Sequence, residues 1–172
     1  MADRTDTSDT SDTARTADTA GAAAPAATPP APGIAPPAPG APAPQVWPTL
    51  RAGDARGLIR FLTEAFGFEE VVVYGEGEVV EHAELAWPLG GGVMLGSVRE
   101  GAPCQGAPGS FSAYVVTDDP DALHARAVAA GADVVSPLHV TDYGSRDFAV
   151  QDPEGNRWSF GTYRGEPPHS QG

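Results

Sequence analysis

Lysine is absent from this 172-residue chain, cysteine occurs once, methionine twice, and aromatic residues make up only 8%. Each scarcity excludes something. Cys104, in the loop-like run Gly101-Ala102-Pro103-Cys104-Gln105-Gly106, can form neither an internal disulfide nor a Cys-based zinc site within one chain, and reads as an incidental loop thiol. No apolar run approaches the roughly 20 residues needed to span a bilayer, and no apolar stretch of the signal-peptide kind is present at the amino terminus. These absences predict a cytoplasmic protein with no membrane partner. Positive charge is short as well: 10 Arg stand against 23 Asp and Glu, a formal net charge of -13. Such a chain repels phosphate backbones, which argues against a nucleic-acid partner, and it favours a cationic ligand. Residues 46–172 hold 18 of the acids and 8 of the arginines, so most of the imbalance belongs to the part expected to fold.

Large apolar side chains are also missing from residues 1–45, where only Met1 and Ile34 qualify. Residues 1–19 repeat Asp, Thr and Ser, and residues 20–44 are nearly pure Ala, Pro and Gly. Ordering a backbone costs about 1–2 kcal/mol per residue, and this segment has too little apolar surface to offset it. A disordered tail over 1–45 is expected, usable as a polyproline spacer or a docking peptide. The remaining length suits one domain over 46–164, followed by a flexible tail over 165–172.

From Val46 onward the pattern becomes one of short strands punctuated by helices. Asp54 is placed to cap a helix with an apolar stripe of Leu58, Phe61, Leu62, Ala65 and Phe66, and Gly67 to end it. Three strands follow, over 68–74, 79–87 and 93–98, separated by Gly75-Glu76-Gly77 and by the run from Pro88 to Gly92. The second half repeats the plan: a strand over 111–117, Asp119 as N-cap, Pro120 at the first helical position and Gly131 at the end. Strands near Val134, over 146–150 and over 157–162 complete it. At an offset of 64 residues Asp54 matches Asp118, Ala65 matches Ala129 and Gly67 matches Gly131. Recurrence in this order predicts an α+β fold of two βαβββ modules with curved mixed sheets, helices on the convex side and a cleft lined by alternate strand residues.

The stretch from Tyr143 to Phe160, with its Asp152-Pro153-Glu154-Gly155-Asn156 turn, resembles the end of the bleomycin-resistance branch of the glyoxalase, bleomycin-resistance and extradiol-dioxygenase (vicinal-oxygen-chelate) superfamily. The likeness covers about residues 46–164. The turn marks the fold rather than an activity, because Asp152 and Pro153 start a tight turn and Gly155 and Asn156 accept positive φ. In metal-dependent relatives the resemblance implies four chelating positions, which fall here on Trp47, Glu84, Ser112 and Ser159. Only Glu84 is a competent ligand; His82 shares its strand face, so at most a two-donor site is available. The expectation is a protein without metal or other cofactor, which removes the Lewis acid of isomerase and dioxygenase chemistry.

What remains is a cleft inventory: Trp47, Thr49, Arg51, His82, Glu84, Ser112, Tyr114, Arg146 and Ser159. Trp47 and Tyr114 offer stacking surfaces, and Glu84 attracts a cation. Alternatives stand beside several of these. Trp47 is either a ligand surface or a plug, Arg146 either lines the cleft or pairs with Asp147 or another surface carboxylate, and Glu84 serves either recognition or proton transfer. Trp158 and Phe160, opposite in phase to Ser159, belong under the second-half helix. His124 and His139 lack acidic partners of matching period, with His139 in a loop before the seventh strand. The resemblance thus implies a homodimeric binding protein of the antibiotic-resistance type that sequesters a small cationic or aromatic compound. The alternative is a lyase, isomerase or dioxygenase of the same fold using His82 and Glu84, with or without a divalent metal; a third reading is an interaction module recruited through the proline-rich tail.

Overall fold

The computed structural model describes residues 45–101 and 106–167; the expected amino-terminal tail, Cys104 and residues 168–172 lie outside the described residues. The elements run β1 (Thr49–Ala52), α1 (Ala55–Phe61), a π-helical turn (Leu62–Phe66), β2 (Glu69–Tyr74), β3 (His82–Ala86) and β4 (Gly92–Ser97). They continue as β5 (Ser112–Val116), α2 (Pro120–Ala129), β6 (Asp133–Val140), β7 (Arg146–Gln151) and β8 (Arg157–Gly161). Two four-stranded sheets result, ordered β1-β4-β3-β2 and β5-β8-β7-β6. In each, the first strand pairs parallel to the last and the other pairs are antiparallel. The architecture is therefore α+β, from two copies of one βαβββ plan.

Local chemistry explains the element ends. The Asp54 carboxylate accepts from the Gly57 amide at 2.7 Å, and Asp119 from Ala122 at 3.0 Å, so both helices begin on a side-chain cap. Helix α1 does not run unbroken to Gly67, as the apolar stripe suggests; it widens into a π turn, where the Gly67 amide reaches the Leu62 and Thr63 carbonyls at 3.1 Å. Gly67 lies thirteen positions after Asp54, and Gly131 twelve positions after Asp119. One inserted residue is what a π turn absorbs. Elsewhere β3 starts at His82, because Gly75 to Glu81 form the reversal before it. Strand β6 extends to Val140 and so contains His139, correcting the loop assignment; it tolerates Pro137 because it is an edge strand with register shifts.

One continuous core joins the modules. Phe66, fully buried, sits with its ring 4.8 Å from Phe160, 5.5 Å from Trp158 and 5.2 Å from Phe61. Trp158 and Phe160 are buried as their phase requires, and they reach past α2 to the first module's π turn. Arg126 of α2 donates to the Ala65 and Phe66 carbonyls, closing that turn's free end from the opposite module. A second tie comes from the β7–β8 turn, where Glu154 accepts from the Gly53 and Asp54 amides at 2.8 and 2.7 Å. Within the turn, buried Asp152 accepts from the Asn156 side-chain amide and the Trp158 indole, both at 2.9 Å. The helical sides of the sheets thus share one interior, and the opposite, concave faces remain for other work.

Candidate functional site

Alternation assigns the concave faces. On the first sheet Leu50, Ala83, Leu85, Val93 and Leu95 point into the core, so Thr49, Arg51, His82, Glu84 and Met94 share the other face. Register sets Thr49 beside Met94, Met94 beside Glu84 and Glu84 beside Val72, while Tyr74 stands opposite His82. The His82 Nε2 lies 3.0 Å from Glu84 Oε1, with side chains 41% and 30% exposed, so the pair is reachable by solutes. The Tyr74 ring stacks on the imidazole with centroids 6.3 Å apart. A small cavity of about 70 Å³ beside the pair is lined by Thr49, Arg51, His82 and Met94, all from this sheet. Trp47 stands half-buried two residues before β1, its ring over Gly92, where a Cβ would meet the indole Cζ3 at 2.8 Å.

On the second sheet Tyr114 stands beside Ser159 and Ser159 beside Ala149, with exposed Ser112 further along β5. The Tyr114 hydroxyl accepts from the Tyr163 amide at 3.1 Å and donates to Asp147 Oδ1 at 3.4 Å. Ser145 donates to the same oxygen, and its Oγ lies 3.2 Å from the Thr162 hydroxyl. This polar group, centred on buried Asp147, was missed by reasoning from the sequence, which treated Asp147 only as a partner for Arg146. Strand alternation could have found it, since Asp147 is in phase with Ala149 and hence with Ser159. Of the readings open for Arg146, the ion pair with another surface carboxylate describes the structure: the partner is Asp121 of α2. The guanidinium makes two bonds to it, at 2.7 and 3.1 Å, away from the concave face. That hydrogen bond holds the Asp121 carboxyl below the ordinary carboxylate range. The Tyr163 phenol is pushed up, first by desolvation and then by the neighbouring Glu166 carboxylate.

A larger cavity, about 320 Å³, opens at the seam of the modules on a floor of Phe68, Trp87 and Trp158, with Tyr114 and Arg164 on its wall. The Trp87 indole donates to the Val116 carbonyl across this seam at 2.8 Å. Sequence reasoning did not find it, because its walls come from both modules and most are core residues by pattern. The structure therefore gathers Thr49, Arg51, His82 and Glu84 on one sheet, Ser112, Tyr114 and Ser159 on the other, and removes Arg146 to a surface pair.

The donor set does not suit a resident divalent ion. Trp47, Ser112 and Ser159 offer no neutral-pH ligand of the His or carboxylate kind, and Glu84 with His82 makes two donors. Among the described residues no group of three or more His, Cys, Asp or Glu side chains is placed to hold an ion. Nor, among them, is any helix long and apolar enough to cross a membrane.

Two βαβββ units packed through their helical sides, with polar concave strands, define a paired-module protein of the vicinal-oxygen-chelate class. The family described as the Glyoxalase/Bleomycin resistance protein/Dioxygenase superfamily matches residues 45–160, and the chain belongs to it. Among solved structures it is similar to TioX from Micromonospora sp. ML1, at 30% identity and a TM-score of 0.58, over 66% of this chain and 93% of that one. It is similar at 26% identity and a TM-score of 0.51 to a glyoxalase/bleomycin resistance protein from Streptomyces sp. CB03234, over 65% and 94% of the two chains. Glyoxalase I from Zea mays, in a mutant form, shares the fold at 19% identity and a TM-score of 0.55, over 69% of this chain and 45% of that one. No curated protein matches the chain.

Proposed function

We propose that the chain is a small-molecule-binding protein of the bleomycin-resistance-like type, which sequesters a compact cationic or aromatic compound on its concave faces without a metal ion. The observation that carries this reading is the donor set: the chelating positions hold Trp47, Glu84, Ser112 and Ser159, leaving carboxylate, hydroxyl and indole groups suited to recognition. The net charge of -13 favours a cationic guest electrostatically. A homodimer fits the same picture, since a second copy laid against the open faces would complete a cleft with residues from both chains. Such proteins gain stability from their guest by mass action, by about 2.7 kcal/mol at a hundredfold excess over Kd. The test is a thermal-shift panel of basic glycopeptides, planar aromatic cations and neutral aromatics on the full chain, with light scattering for the assembly and elemental analysis after chelator-free purification. A raised Tm with one chemical group, in a dimer free of stoichiometric metal, supports sequestration. A stoichiometric divalent ion, or no shift with any compound, overturns it.

A second reading rests on the His82–Glu84 contact of 3.0 Å, which places a base and a carboxylate within proton-transfer distance on an accessible face. It makes the protein a lyase or isomerase acting by general acid–base chemistry. Glu84→Gln separates the two: weakened binding with no turnover belongs to recognition, and lost turnover with retained binding belongs to catalysis.

A further inference from the structure

Asp147 poses a problem of its own. It is 9% exposed, and both hydrogen bonds to its carboxylate, from Ser145 Oγ and Tyr114 OH, fall on Oδ1. Among the described residues no donor falls on Oδ2, and the nearest arginine in sequence, Arg146, is committed to Asp121. A carboxylate largely removed from water with one oxygen unmet by the fold is costly, so Oδ2 takes its partner from outside the fold, either water or a guest that replaces it. Its position is also specified by the sequence. Gly161 lies beside Asp147 in the β7–β8 register, and a Cβ there would overlap both Asp147 Oδ1 and the Tyr114 hydroxyl. The glycine lets both side chains lie flat on the sheet.

Three exposed tyrosines lie at the same end of the second sheet as this acid, and one of them, Tyr114, touches it through its hydroxyl. Tyr114 is 41% exposed, Tyr163 40% and Tyr143 66%. The Tyr143 and Tyr163 rings meet edge to face at 5.5 Å, and the Tyr163 amide is bonded to the Tyr114 hydroxyl, which ties the ring cluster to the Asp147 network. Aromatic faces attract cations through their quadrupole, at exposed sites as well as in desolvated ones, and a carboxylate adds its own charge to that attraction. Solvent-exposed tyrosines beside a half-satisfied buried carboxylate are therefore complementary to an organic cation, not to an anion or a neutral sugar.

We infer that Asp147, together with Tyr114, Tyr143 and Tyr163 at that end of the sheet, forms a recognition site for an organic ammonium or guanidinium group on the second module's concave face. The inference rests on the binding reading above and makes it specific, by naming where the charged end of the guest sits. The Ser145 and Tyr114 hydroxyls hold Oδ1, which leaves Oδ2 as the acceptor for the cation, and the rings cover its alkyl or aryl groups.

The probe is benzyltrimethylammonium, titrated into the full chain by NMR or calorimetry, with phenylmethanesulfonate as a counterpart of similar shape and opposite charge. Saturable binding of the cation alone is expected. It weakens by about tenfold or more in Asp147→Asn and by a few-fold in Tyr143→Ala and Tyr163→Ala, the usual range for loss of a charge partner and of a cation–π contact. Should Asp147→Asn fail to fold, the two exposed tyrosine variants carry the test. Equal binding of the sulfonate, unchanged affinity in the tyrosine variants, or no saturation up to about 10 mM overturns the assignment. A compound from the wider panel that raises Tm equally in wild type and Asp147→Asn would overturn this site while leaving sequestration intact, and a panel with no hits fails the broader reading first.

Discussion

The two modules share a plan and differ in how each is held together. The first buries many modest side chains of its own, Leu50, Leu58, Ile59, Leu62, Val80, Leu85, Val93 and Leu95 among them. The second buries few, with Leu123 and Ala127 from its helix and Phe148, Val150, Trp158 and Phe160 from its sheet, and leaves Val128, Val134, Val135 and Val140 open to solvent. Its large rings find their partner in Phe66, on the other module's π turn. A duplicated unit has thus become a host and a dependant, joined through Phe66 at the end of the π turn. The division extends to the concave faces, where the first carries a half-buried His–Glu pair and the second a buried acid bonded to Tyr114.

The sharpest way to break this comparison is Phe66→Ala. A fully buried ring removed from a packed aromatic cluster costs about 3–5 kcal/mol, and here the loss falls on the second module, which should lose the near-ultraviolet signal of Trp158 at lower urea than in wild type. If the modules were independent, the cost would stay with the first and the Trp158 signal would persist. A pair of deletions sharpens the point at smaller scale. Removing Thr63 should convert the π turn to an ordinary α-helical one and keep everything after it in phase, at roughly 1 kcal/mol. Removing Ala125 from the regular α2 rotates Leu123 and Ala127 out of register with each other and costs about 3 kcal/mol or more. Equal costs measured by urea denaturation would refute the view that the turn is an absorbed insertion.

The same contrast explains what could be read from the residues alone. Helix caps, the glycine stops and the β-turn were legible because each is a local rule: Asp54 and Asp119 cap within their own first turn, and Gly67 and Gly131 end helices through their own φ. Period-two alternation set His82 and Glu84 on one strand face, and the structure places Thr49 and Arg51 on the same face of that sheet. Long-range choices were not legible. Whether Arg146 turned to Asp147 or Asp121 depended on where α2 lies over the sheet, and the partner of Trp158 depended on a packing between modules that no window of sequence contains. Asp147 was overlooked for a related reason: alternation assigns its face, but an acid in a strand reads as surface until its contacts with Ser145 and Tyr114 are known. The π turn left a trace, the thirteen-against-twelve spacing, but interpreting it needs the assumption that both helices end on equivalent glycines.

The smallest effect concerns how each helix is tied to its surroundings two residues after its cap. In the first module that position is Arg56, whose guanidinium donates to the Gly77 carbonyl, an acceptor that does not titrate. In the second it is Asp121, bonded to Arg146, which depresses the carboxyl's pKa in the folded state. A carboxyl lowered by folding contributes stability that is fully present above its unfolded value, about pH 4, and is lost as pH falls through the lower folded value. The pair is exposed, so its contribution is small and weakens with salt. Wild type should therefore exceed Asp121→Asn in urea midpoint at neutral pH and low salt, with the gap closing as pH falls through the lowered folded value. Arg56→Ala should show a gap that does not change over the same range, because neither the guanidinium nor the Gly77 carbonyl gains or loses a proton there. A pH-dependent gap at Arg56, or a constant one at Asp121, would mean that the ties are made differently from the way these contacts place them.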